Sequence, residues 1–266
     1  MFVSAACAAA AYSLAHWCAD AGHGWSAFWA VAAFIASQIF VARAVRKRMN
    51  ADMMAVQRIL AEGQKRLQQK TQSWQFRPPG SMQAAQRELE GDMRKFVTEA
   101  LGETEKLRKY RPWVFMVDRQ VATAQLQLNW MIKEFDKVDE LLPKAFLMDP
   151  SLVAMKMARM YMKDAPVEEI EEVYRKGTRR GGFNRNTLPA ATMAWIELKK
   201  GRENEAFKTL VDAVKNSDDA TLKSNLAHLE NKRATHCSNS GLGDAWYALH
   251  LEEPRMRQPR QHRQFR

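Results

Sequence analysis

Residues 187–220 read TLPAATMAWIELKKGRENEAFKTLVDAVKNSDDA, two apolar runs at helical spacing with Gly201 between them. Met193 and Ala194 serve the first run, and Ala206, Leu210 and Ala213 the second, recurring every three or four residues as one face of a helix requires. A glycine between two such runs marks a turn, so the stretch predicts a helical hairpin. The same arrangement extends upstream. Ala158 and Tyr161 belong to one helix, and Pro166 with Glu168 and Glu169 opens the next, where acidic groups suit the positive end of the helix dipole. Ile170, Tyr174 and Gly177 follow at spacings of four and three. Earlier still, Phe135 and Ala145 precede Asp149-Pro150, in which Asp caps a helix and Pro starts it.

Residues 43–112 extend the helical reading. Ser81 caps a helix running to about Arg108, with Met82, Leu89, Met93, Phe96, Leu101 and Leu107 on one side, and Pro112 ends or kinks it. Arg77-Pro78-Pro79-Gly80 is a linker. Before it, Met49, Met53, Val56, Leu60, Gly63 and Leu67 alternate at three and four. Three structures suit that seam: a short coiled coil, an amphipathic helix lying on lipid through Arg58, Lys65, Arg66 and Lys70, or a helix packed on the rest of the domain.

Charge is distributed unevenly. No Lys or Arg precedes Arg43, and Asp20 is the only acid before it, so 41 basic against 29 acidic residues leave +12 on the remainder. Such an excess suits an acidic neighbour: anionic lipid, acidic protein or nucleic acid. The uncharged stretch 25–42, WSAFWAVAAFIASQIFVA, approaches the ~20 apolar residues of a membrane span. Trp25 and Trp29 stand near one end, and Arg43, Arg46, Lys47 and Arg48 follow the other, which orients the remainder toward the cytoplasm. Residues 2–19 either form a first span or lie in the interface. No basic side chain precedes the apolar run, so a secretory signal is not expected. Cys7, Cys18 and Cys237 make no disulfide framework or zinc-ligand spacing.

The paired helices from about 119 to 220 resemble tetratricopeptide repeats, helix-turn-helix units of 34 residues with small residues where helices approach. Turn positions Lys133, Ala165 and Gly201 stand 32 and 36 residues apart. Residues 187–220 match best, whereas the first two units lack the turn glycine. The resemblance implies an all-α protein: an N-terminal transmembrane segment, a helical linker over 43–80, a short TPR-like α-solenoid within 81–233, and a cap helix with a basic, disordered tail over 234–266. An anchor followed by such an array is similar to bacterial envelope scaffolds, which implies an inner-membrane location with the C-terminal domain cytoplasmic.

Arrays of this kind hold partners on the concave wall built by their first helices. Projection places Gln127, Trp130, Arg159, Lys163, Trp195 and Lys199 there, a mixed aromatic and basic trough for an acidic or C-terminal peptide. The competing reading packs both tryptophans between helices. The family's two-carboxylate clamp is absent, since Gln120, Ala124, Leu188 and Thr192 occupy its positions. Arg43, Arg46, Lys47, Arg48, Arg255, Arg257, Arg260, Arg263 and Arg266 are candidates for lipid or polyanion contact. No phosphate loop, GxSxG or HExxH occurs, so no catalytic residue, metal or cofactor is expected, and the chain reads as other than an enzyme. The resulting expectation is a membrane-tethered scaffold for a protein partner. A nucleic-acid-binding protein using the basic helix and tail is the alternative, and self-association is compatible with either.

Overall fold

The structure is a computed structural model describing residues 13, 23–74, 80–114, 116–179 and 182–253. The described residues contain helices and turns, with no strand among them. The chain divides into two compact units, Met1–Ala145 and Phe146–Arg266.

In the first unit, α1 (His23–Ser73) packs on α2 (Met82–Lys106), which passes through a 3-10 turn (Leu107–Tyr110) to α3 (Val117–Met131) and α4 (Phe135–Leu141). Ser81 caps α2, its hydroxyl accepting the Ala84 N–H at 3.1 Å. The heptad-like seam of α1 is spent within the unit. Val56 is buried with Val97, Ala100 and Leu128, and Met49 and Met53 pack near Leu107, Tyr110 and Val121. Gly63 lets the α2 ring of Phe96 close in, since a Cβ there would stand 2.5 Å from it. Asp52 holds α1 to the 3-10 turn, accepting from Tyr110 Oη and Lys109 Nζ, each at 2.8 Å. The Lys109 and Tyr110 bonds keep its carboxyl below the usual range.

The expected membrane span requires correction. Among the described residues, no helix is long and apolar enough to cross a membrane. Although α1 has 51 residues, it carries charges from Arg43 onward. Its uncharged part, 23–42, is interrupted by Ser37 and Gln38. The side chains of residues 25–27, 29 and 30 lie outside the description, as do residues 2–12 and 14–19, for which a first span and an interfacial segment were the alternatives. The inferred inner-membrane location and cytoplasmic orientation lose their support with the span. Val31, Ile35, Ile39 and Phe40 remain exposed along α1.

The second unit contains α5 (Pro150–Met162), α6 (Val167–Thr178), α7 (Thr187–Lys199), α8 (Glu203–Lys215), α9 (Ala220–Glu230) and the short α10 (Asp244–Tyr247). Helix α5 packs on α6, α7 on α8, and α5 also on α7. Asp149 caps α5 by accepting the Ser151 N–H at 2.8 Å, with Pro150 in the first turn. Gly177 admits Val153 of α5, whose methyl would lie 2.5 Å from an added Cβ.

One turn closes α3, α5, α7 and α9. Lys133, Asp164, Gly201 and Lys232 each adopt positive φ, from 52° to 75°. The next residue's N–H then donates five positions back: Glu134 to Asn129, Ala165 to Met160, Arg202 to Glu197, and Arg233 to His228. This left-handed termination satisfies carbonyls that a helix end orphans and reverses the chain. At the second turn the residue that turns is Asp164, one position before Ala165. Only Gly201 adopts this conformation without a Cβ penalty.

Open space surrounds Gly201, so Gly201→Ala isolates the backbone term and should cost about 1 kcal/mol. Thermal unfolding should shift down by roughly 4 °C; an unchanged midpoint would show that the left-handed turn is not a source of strain.

Candidate functional site

Trp195 emerges from α7 beside Tyr161 of α5, their rings meeting edge-on at 5.2 Å. The expected trough was to be open at this point. Instead, the chain returns across α7 after α9. Asn239 is buried and donates from Nδ2 to the Ala191 carbonyl at 3.0 Å, while its Oδ1 accepts from Asn225 Nδ2 at 2.9 Å. Gly241 passes against Thr221, where any Cβ would collide with the hydroxyl. Trp246 and Leu249 are then fully buried.

The segment is fastened by one carboxylate. Glu252 Oε1 accepts the Trp195 indole N–H at 2.8 Å, and Oε2 accepts the Trp246 indole N–H at 2.9 Å. The two indoles meet at 5.7 Å and 66°, the edge-to-face contact that aromatic quadrupoles favour. Lys199 Nζ lies 5.1 Å from the Trp195 ring centre, and Lys200 Nζ lies 5.5 Å from that of Tyr161. Each indole donor thus meets a charged acceptor, stronger than a neutral one. Chemically, the site holds an apolar anchor followed by an acid.

The other expected site residues are scattered. Trp130 of α3 is buried and meets Phe135 edge-on at 5.4 Å, so it packs between helices rather than lining a surface. Gln127 is half-buried on the same helix, within the first unit. In the second unit Arg159 is half-buried on α5, Lys163 is exposed at its C-cap, and Lys199 is exposed near the end of α7. Arg43, Arg46, Lys47 and Arg48 are exposed on α1. Arg255, Arg257, Arg260, Arg263 and Arg266 lie outside the described residues.

Two arrangements escaped the sequence reading. Glu197, on α7, is only 3% exposed and its Oε2 has no hydrogen-bond partner. Burial pushes its carboxyl up to about 7, opposed by a Thr209 hydrogen bond and reinforced by Glu171. Nearby, burial with Glu197 and Asp212 pushes the Tyr174 phenol up to about 12. The turn after α9 brings the rings of His228 and His236, eight residues apart in sequence, to 5.9 Å. Among the described residues, no cluster of three or more His, Cys, Asp or Glu side chains is arranged to hold a metal.

No protein-family model, curated protein or solved structure matches the chain. The functional reading therefore rests on the geometry.

Glu197 gives a signed pH prediction. Its folded value lies above the ordinary carboxylate value of 4.5. The acid is therefore neutral in both states below that range, and stability falls as pH rises from there through about 7. At 1.36 kcal/mol per unit the loss is up to about 3 kcal/mol. Glu197→Gln should match the native chain near pH 4 and exceed it at pH 8 in chemical denaturation. Parallel stability–pH curves for the two proteins would refute the assignment.

Proposed function

We propose that the chain is a binding scaffold, with paired helices related to tetratricopeptide repeats in design, that holds a segment of a protein partner on the α5–α7 face. Three features support the reading: two helical hairpins closed by the same left-handed turn, the packing of α5 on α7, and the aromatic, basic character of that face. The observation that carries it is the shared carboxylate. Residues 234–253 cross α7 as a bound peptide would, and Glu252 receives both indole donors.

The chemistry of the internal segment describes the partner. Trp246 supplies a buried apolar anchor, and Glu252, six residues later, supplies the acid. A partner carrying a similar aromatic–acid pair competes with this segment for Trp195. Competition makes the free-energy difference between the two ligands decide occupancy, because a face already filled responds only to a better binder. The role is one of recognition rather than catalysis.

A labelled peptide comprising residues 238–253 provides the test. The native full chain should bind it weakly, whereas Trp246→Ala, which empties the anchor site, should bind it measurably in fluorescence anisotropy. Adding Trp195→Ala should abolish that gain. A folded Trp246→Ala chain with no affinity for the peptide would reduce the segment to a structural cap.

A further inference from the structure

Residues 238–252 meet α7 and α9 through positions that few sequences satisfy together. Ser238 donates its N–H to Asn225 Oδ1 at 2.9 Å, and Asn239 donates from Nδ2 to the Ala191 carbonyl at 3.0 Å. Gly241 lies where any Cβ would collide with the Thr221 hydroxyl. Gly243 adopts φ 59° and ψ −136°, backbone space that glycine enters without a Cβ penalty. Trp246 and Leu249 are then buried, and Glu252 accepts both indole donors. A foreign segment must reproduce that series. Every copy of this chain carries it.

The link from α9 to this segment has a different character. Asn231, Lys232, Arg233, Thr235 and His236 are exposed. Its backbone bonds are local, from the Arg233 N–H to His228 O at 2.8 Å and from the His236 N–H to Arg233 O at 2.9 Å. Lys232 holds φ at 55°, a conformation that disfavours a residue with a Cβ by about fivefold or more. The attachment is therefore concentrated in 238–252, and the strain in the link. Opening the link releases that strain and leaves the segment's contacts available to the same face on another molecule. Strained hinge loops favour such exchange, and exchange needs no surface beyond the one already formed within the molecule.

We infer that the partner segment taken up by the α7 face is residues 238–252 of a second copy, exchanged reciprocally so that each molecule closes the other. The inference rests on the scaffold reading, since it requires a face that accepts a segment from outside, and it names that partner as this chain. Within one molecule the segment is present at an effective concentration on the order of millimolar. The closed monomer therefore dominates in dilute protein, and the exchanged dimer grows with concentration.

Two defective full chains test it. Trp195→Ala keeps the segment and impairs the face, whereas Trp246→Ala keeps the face and removes the anchor. Neither contains an intact site alone, but an exchanged pair contains one. Mixed in equal amounts, they should form a dimer of 61 kDa, twice the chain's 30.5 kDa. Light scattering after size exclusion should show it at a concentration at least tenfold lower than either variant alone requires. Circular dichroism establishes that each variant is folded; Trp195→Phe, which keeps a ring and removes the donor, replaces Trp195→Ala if that chain unfolds. The native chain should reach the same mass as it is concentrated toward about 1 mM. Lys232→Gly, which removes the penalty from two closed links, should weaken that dimer roughly tenfold or more. A mixture that stays monomeric while Trp246→Ala binds the labelled 238–253 peptide would overturn exchange and leave the scaffold reading standing. A monomeric mixture with no peptide binding would remove both. A native dimer that survives Trp246→Ala unchanged would place self-association on another surface and overturn the proposal as well.

Discussion

Each long hairpin depends on a residue entering left-handed backbone space at the end of its first helix. Lys133, Asp164, Gly201 and Lys232 perform the same reversal, and the following N–H returns to a carbonyl five residues back. That constraint turns each helix back to pack against its predecessor. Three of the four positions use a residue with a Cβ, so the turn persists through the contacts it organises rather than through local preference. In the second unit, α5 and α7 then share a face, and the remaining chain acquires a surface on which to lie.

That surface is already occupied. Trp195 could serve an external ligand or the core, and the structure gives it an internal one. Glu252 satisfies two indole donors at once, while Trp246 and Leu249 supply the buried area. The polar contact sets register, and the apolar burial supplies most of the attachment energy, since a buried Trp truncated to Ala typically costs about 3–5 kcal/mol. On the proposed scaffold reading, an external partner must match both.

Local signals in the sequence were strong where the physics is local. Ser81 and Asp149 cap helices as their side chains imply, Pro166 and Gly201 stand at hairpin turns, and the seam of α1 faces α2 and α3. The apolar character of 25–42 suggested a span, but among the described residues no helix is long and apolar enough to cross a membrane. Glu197 looked like other helix-surface acids because its burial comes from α6 and α8, not from its neighbours in sequence. Glu252 gave less warning still. Its partner Trp195 is 57 residues away, a distance that helical periodicity does not reach. Spacing placed turns at Lys133, Ala165 and Gly201, but Lys133, Asp164 and Lys232 are not glycines, so their shared left-handed geometry emerged only from the backbone.

Hydrogen exchange across residues 244–250 tests the internal attachment most directly. Glu252→Ala removes the shared acceptor and leaves both indoles intact. The account requires exchange in that segment to accelerate at least tenfold while α7 and α8 keep their protection. Unchanged protection in 244–250, or equal loss throughout the second unit, would contradict a segment held on the α7 face by that carboxylate.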